Sequence, residues 1–333
     1  MHNIQLLKEF LSSRKKIVIT THASPDADAL GSSLGLYLFL KKNGHDVQVI
    51  SPTEYPEFLF WMPGHDDVIV NCPNSFDHIK ELINAADLIA CLDFSGYNRI
   101  KNLGEVVQNA PGKKLLVDHH LNPEIDADYD VWDQTAAATA ELIYDLIEAL
   151  DGKDDIDVDI AECIYAGIMT DTGSFKFPST SSKIHRTVAE LIDIGADVNK
   201  VSRNIYDTNS INRLRFIGYA LAEKLTVDEN YPVAYFVISA DDHIRFNLKS
   251  GDTEGLVNYA LSIKGMKVSA IIMERDGEIK LSFRSVGDYA VNNFAAEHFD
   301  GGGHKNASGG HSEDSLEKTV EKFKSLIPTI KEK

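Results

Sequence analysis

Thiols are scarce in this chain. Cys72, Cys91 and Cys163 are its only cysteines among 333 residues and no two stand in C-x-x-C spacing, which excludes a disulfide framework and a thiolate zinc site. Each is read as a small buried hydrophobe. Cationic side chains are also few: 33 Lys plus Arg face 51 Asp plus Glu, a formal charge of −18. Such a field repels polyanions at long range, so a long nucleic acid is excluded as a partner. A short phosphorylated molecule is not, because cations in a cleft can reverse the local field. No apolar run approaches the roughly 20 residues needed to span a bilayer. The segment MHNIQLLKEFLSSRKK has the spacing of an amphipathic helix and no apolar signal core or small-residue cleavage site, which points to the cytoplasm and away from a membrane. Repeats, low-complexity tracts and charge blocks are absent as well.

Hydrophobic residues make up 43% and charged residues 25%, the composition of a globular protein, and the length suits two domains. Residues 16–22 (KIVITTH), 46–51 (DVQVIS), 86–94 (ADLIACLDF) and 113–120 (KKLLVDHH) read as apolar strands. Helical spacing marks 28–44, with Gly44 as its stop, and 76–85, 134–150 and 159–170. This α/β alternation predicts a doubly wound, mostly parallel sheet covered on both faces, with ligands bound beyond the carboxyl ends of its strands. Helices are also expected at 182–194 and 211–223. Beyond them, 231–239, 267–285 and 289–299 predict a smaller α+β domain, in which Asp276-Gly277 turns a hairpin. The domains are placed at 1–185 and 230–333, joined by a helical linker over 186–229.

Side chains suited to metal ligation gather where such a sheet presents its functional loops. THASPDADALGSS offers His22, Asp26 and Asp28, CLDFSG offers Asp93, and VDHHLNP offers Asp118, His119 and His120. GIMTDTGSFKF adds Asp171 at the end of an apolar run. Singly, each has an ordinary explanation: a turn or N-cap aspartate at Asp26, Asp28 or Asp171, a core histidine at His22 or His119. Together, four carboxylates and two imidazoles at one sheet edge call for divalent cations, since the carboxylates would otherwise repel one another. Oxygen and imidazole donors without thiolate suit manganese or magnesium, with zinc, cobalt or iron next. In GGGHKNASGG (301–310), glycines allow close backbone approach to a phosphate or nucleotide; His304 can donate from that loop and Arg284 can make a bidentate phosphate contact.

The blocks HASPDADALGSS, LDFSG, VDHH and TDTGSFKF, with FRS and GGGHKNASGG further on, resemble the motifs of the DHH phosphoesterase superfamily and its DHH-associated carboxy-terminal domain. The layout is most similar to the bifunctional oligoribonuclease and pAp phosphatase branch, the nano-RNases; Asp300 departs from it, standing where that branch often has another glycine. The resemblance implies two Mn²⁺ ions per active site, with Mg²⁺ or Co²⁺ as alternatives. His22 and Asp26 would hold one, Asp28, His119 and Asp171 the other, and Asp93 would bridge. Two ions about 3.5–4 Å apart would share a hydroxide for in-line attack on phosphorus. Besides Asp93, the implied catalytic residues are His120, toward the scissile phosphate, and Asp118, orienting an imidazole. Arg284, Gly301, Gly302, Gly303 and His304 would grip the substrate in a cleft between the domains. Expected substrates are RNA or DNA oligonucleotides of a few units, cut to mononucleotides, and pAp, cut to AMP; a homodimer is expected. The runner-up is a phosphodiesterase for cyclic or linear dinucleotides. A non-catalytic nucleotide sensor would lack a metal ligand, and none of the six positions is substituted.

Overall fold

A computed structural model describes residues 2–249, 251–275 and 277–332. The chain divides into two units, up to Thr208 and from Asn209 onward. That division falls inside the 186–229 stretch read as a linker. Leu191, Val201 and Ile205 are buried in the core of the first unit, whereas Phe216 and Ala220 are buried in the second, so the stretch is shared between two cores.

In the first unit, β1 (Lys16–Thr21), β2 (Asp46–Ser51), β3 (Ile69–Val70), β4 (Leu88–Leu92), β5 (Lys113–Asp118) and β6 (Tyr129–Trp132) form one sheet in the order β3-β2-β1-β4-β5-β6. Every pairing in it is parallel. Parallel strands need crossovers, and the helices that make them cover both faces. Successive side chains therefore enter different cores. Ile17 and Ile19 of β1, and Leu88, Ala90 and Leu92 of β4, join the larger cluster, while Val18, Ile89 and Cys91 join the smaller one beneath the Phe76–Ala85 and Leu103–Asn109 helices. The edge strands β3 and β6 are only two and four residues long, too short for a periodic signal, and are not among the expected strands. Cys91 and Cys163 are buried as read, but Cys72 is exposed: it lies in the turn before the Phe76–Ala85 helix, its N–H donating to the Ser75 hydroxyl at 2.9 Å.

The Ala27–Lys42 helix packs against the Val158–Asp171 helix at very short range. Gly31 makes this possible, because a β-carbon there would lie 2.4 Å from the carbonyl oxygen of Cys163. The two helices carry Asp28 and Asp171, so the close approach sets the distance between two candidate ligands.

The second unit holds a mixed sheet of β7 (Leu225–Val227), β8 (Val233–Ile238), β9 (Val268–Arg275), β10 (Glu278–Ser285), β11 (Gly302–His304) and β12 (Ala307–Ser312), in the order β11-β12-β10-β9-β8-β7. Only β8 and β9 run parallel. The β9–β10 hairpin is present as expected; Asp276, read as half of its turn, lies outside the described residues. Phe283, Phe294, Phe299 and Phe323 build the core on one face. Among the described residues no helix is long and apolar enough to cross a membrane.

Alanine is the better helix former by about 1 kcal/mol, yet the clash with Cys163 dominates at Gly31. Gly31→Ala is expected to destabilise the protein by about 1–3 kcal/mol and to lower the melting temperature. A thermal unfolding curve at or above that of the parent would refute this packing argument.

Candidate metal centre

Strand order reverses between β1 and β4, so the loops that follow them part and leave a crevice at the carboxyl edge of the sheet. His22 is the first residue past β1, Asp93 the first past β4, and His119 and His120 follow β5. Asp26 caps the Ala27–Lys42 helix, its Oδ1 accepting from the Asp28 and Ala29 N–H groups at 3.0 Å each. Asp171 closes the Val158–Asp171 helix, as the helical spacing over 159–170 predicts, and its carboxylate adjoins the negative end of the helix dipole.

The ligand atoms of His22, Asp26 and Asp93 lie within 4.8 Å of one another, and so do those of Asp28, His119 and Asp171. Asp93 faces both groups. Its Oδ2 is 3.4 Å from His22 Nε2 and its Oδ1 is 3.6 Å from His119 Nε2. His119 Nε2 is also 3.3 Å from Asp171 Oδ2 and 3.9 Å from Asp28 Oδ2. Each imidazole is oriented through its other nitrogen: His22 Nδ1 is 2.9 Å from the Ala23 carbonyl, and His119 Nδ1 is 3.2 Å from the Ala136 carbonyl. With Nδ1 protonated, both Nε2 lone pairs are aimed at the carboxylates, the arrangement a metal ligand requires. Asp93 adopts a left-handed backbone, φ 64°, and its N–H donates to the Val117 carbonyl at 3.0 Å.

Asp118 and His120 form a pair beside this cluster. Asp118 is wholly buried; its Oδ1 is 2.8 Å from His120 Nδ1 and accepts the His120 backbone N–H at 3.2 Å. The ring is thereby turned 80° from that of His119.

In the second unit, Arg284 lies on β10, where its Nη1 donates to the Phe283 carbonyl at 3.0 Å, and His304 ends β11. The glycine block, read as a loop, is a β11–β12 hairpin. A β-carbon on Gly301 would lie 2.0 Å from the Gly309 carbonyl oxygen, so this glycine serves the approach of its own partner strand; at Gly302 there is open space. Asp300 takes φ 44°, a conformation glycine accepts more readily than any other residue.

Two family models match the chain: the DHH family N-terminal domain over residues 16–168 and the DHHA1 domain over residues 221–332. The bifunctional oligoribonuclease and PAP phosphatase NrnA of Bacillus subtilis is 30% identical over 298 residues, 88% of each chain. Its namesake in Thermus thermophilus is 31% identical over 88% of this chain and 83% of its own. The crystal structure of an exopolyphosphatase-related protein from Bacteroides fragilis superposes with a TM-score of 0.93 at 39% identity, over 98% of this chain and 96% of that one. The chain belongs to the DHH family. It is a hydrolase acting on phosphoester bonds.

The electrostatics of this DHH cluster favour added positive charge. Burial, Asp93 and Asp171 together push the Asp28 carboxyl well above the usual carboxylate range. Burial opposes charge on His22, but Asp93 and Asp26 outweigh it and raise the imidazole to about 9; His119 is raised in the same way by Asp93 and Asp28. Burial alone would raise Asp93, yet His22, His120 and His119 hold it below the ordinary range. These shifts favour positive charge within the cluster, and a donor set of carboxylates and imidazoles fits divalent cations.

One residue that sequence reasoning missed joins the two donor groups. Thr139 is wholly buried; its hydroxyl donates to Asp93 Oδ1 at 2.8 Å and its N–H to Asp28 Oδ2 at 2.7 Å. The Ala140 N–H completes the cradle at Asp28 Oδ1, 2.9 Å. The Thr139–Ala149 helix has an alanine at its N-cap, and Asp28 caps it instead. Locally, Thr before Ala-Glu-Leu signals only a helix start.

Replacing Thr139 by Val keeps the shape and removes the hydroxyl. Calorimetric titration is expected to show Mn²⁺ binding weakened by about 10–100-fold, with Thr139→Ser close to the parent; equal affinity in the valine variant would remove Thr139 from the design. Metal loading must also expel the His22 proton, which is held up to about 9. Affinity is therefore expected to rise between pH 7 and 9, with proton release at pH 7 measurable from buffers of different ionisation enthalpy. A pH-independent affinity would contradict the raised imidazole.

Proposed function

We propose that the chain is a Mn²⁺-dependent phosphoesterase that hydrolyses RNA or DNA oligonucleotides of a few units to mononucleotides, and pAp to AMP. The observation that carries this reading is Asp93, whose two oxygens face two separate His/Asp groups. In this reading His22 and Asp26 would hold one cation, Asp28, His119 and Asp171 the other, and Asp93 would serve both. When bound, such a pair supplies charge stabilisation at phosphoryl oxygens and an acidified water.

The chain's own residues do the rest. Asp118 orients His120 through Nδ1, and His120 acts toward a phosphate or leaving oxygen. Arg284, His304 and Gly301 to Gly303 hold the substrate's non-scissile phosphate, a charge-assisted contact with no need of base identity. The formal charge of −18 works against long polyanions and leaves short substrates. The activities named for the Bacillus and Thermus relatives support the same choice.

The test is turnover with Mn²⁺ of pAp, a linear dinucleotide, a cyclic dinucleotide and an oligonucleotide of about 24 units, in the parent and in Asp93→Asn, because metals alone do not choose among phosphoesters. Preference for pAp and the linear dinucleotide, lost in Asp93→Asn, is expected. Preference for the cyclic dinucleotide would move the protein to the dinucleotide phosphodiesterase reading, and rapid loss of the long oligonucleotide would overturn the argument from charge.

A further inference from the structure

The cluster is closed on most sides. Side-chain exposure is 1% at Asp28, 3% at Asp93, 6% at His119 and 11% at His22, but 33% at Asp171. In the group formed by Asp28, His119 and Asp171, the last is the one open to solvent; Asp26 is open in the other group.

The turn that follows Asp171 has an unusual backbone. Gly173, Ser174 and Phe175 are successive residues in the left-handed region, with φ of 58°, 59° and 64°. Glycine accepts this freely, whereas serine and phenylalanine are strained by it, and such strain persists only where the surroundings impose it. Here they do. Thr172 is wholly buried and accepts the Lys176 and Phe177 N–H groups at its carbonyl, 2.9 and 3.0 Å, and the Phe175 N–H at its hydroxyl, 3.1 Å. The Ser174 N–H donates to the Met169 carbonyl at 2.8 Å, and the Phe175 ring packs on Tyr165 and His185.

This fastening fixes the position of Phe177. Its ring lies across Gly173, where a β-carbon would come within 2.5 Å of it, and the residue remains 44% exposed. Phe175 is turned inward and anchors the turn; Phe177 takes no part in either core of the first unit. An aromatic ring in solvent, on a hydrogen-bonded turn that follows an open ligand of the cluster, has the properties of a base-stacking surface: a π-face, a backbone already ordered, and tolerance of any nucleobase.

We propose that Phe177 is the stacking platform for the nucleobase of the nucleotide whose phosphate lies at Asp171. This rests on the phosphoesterase reading and deepens it, because it makes the nucleobase part of what is recognised. Phe177 is then a positioning residue, and its loss separates affinity for nucleotides from affinity for phosphate.

The experiment is calorimetric binding of AMP and of ribose 5-phosphate to the Mn²⁺-loaded full chain, in the parent, Phe177→Ala and Phe177→Trp. The parent is expected to bind AMP more tightly than ribose 5-phosphate. Phe177→Ala is expected to weaken AMP about tenfold, leave ribose 5-phosphate unchanged, and raise KM for a linear dinucleotide more than it lowers kcat; Phe177→Trp retains AMP affinity. Unaltered ribose 5-phosphate binding also reports an intact site. The proposal is overturned if Phe177→Ala binds AMP like the parent, if both ligands weaken by the same factor, or if the parent does not distinguish them. Because the readout is binding, AMP affinity that depends on Phe177 in a protein that turns over no phosphoester would uphold the platform and overturn the hydrolytic reading.

Discussion

Two carboxylates buried side by side, Asp28 and Asp93, set the terms for the first unit. Neither has water to stabilise its charge, and each raises the cost of ionising the other. The surrounding structure answers that cost in different ways for each. Asp93 is held by imidazoles and by the Thr139 hydroxyl; Asp28 receives the N–H groups at the start of a helix. These answers are incomplete, since Asp28 still favours its proton. Fold and chemistry meet at this point: the reversal of strand order delivers His22, Asp93 and His119, and a helix pair packed through Gly31 delivers Asp28 and Asp171.

Much of this was legible in the sequence, for reasons that differ by residue. The strands β1, β2, β4 and β5 are dense apolar runs because both of their faces are covered, and such runs are visible without any partner. The edge strands β3 and β6 are defined by pairing with a neighbour more than by their own composition. The ligand-type residues were legible because HASPDADALGSS and VDHH are unusually dense in Asp and His, while LDFSG and TDTGSFKF each place one Asp after an apolar run. Thr139 was not, since its role depends on a partner 111 residues away and its immediate context says only that a helix begins. Asp171 was legible as the residue that ends the helical run over 159–170, and the Val158–Asp171 helix does end there.

The second unit shows the converse case, a visible signal with more than one demand behind it. A run of glycines suggests a ligand cradle, and at Gly301 the close neighbour is the chain itself, across the β11–β12 hairpin. Asp300 fits the same picture: it occupies a backbone conformation suited to glycine without being one. Within that hairpin, Gly302 is the position where the space is open, so backbone demand and available room fall on different members of the run.

The cap that Asp28 provides has a consequence for the order in which the first unit assembles. A helix usually carries its cap in its own sequence and can form early; the Thr139–Ala149 helix begins after Ala138 and waits for a carboxylate 111 residues upstream. Closing so long a loop is slow in folding terms, because its entropy must be spent before the contact returns anything. The same contact fixes the carboxylate that faces His119 and Asp171. A chain still partly folded on this side therefore has a frayed helix and a dispersed donor set together, and the complete cluster is a property of the finished first unit alone.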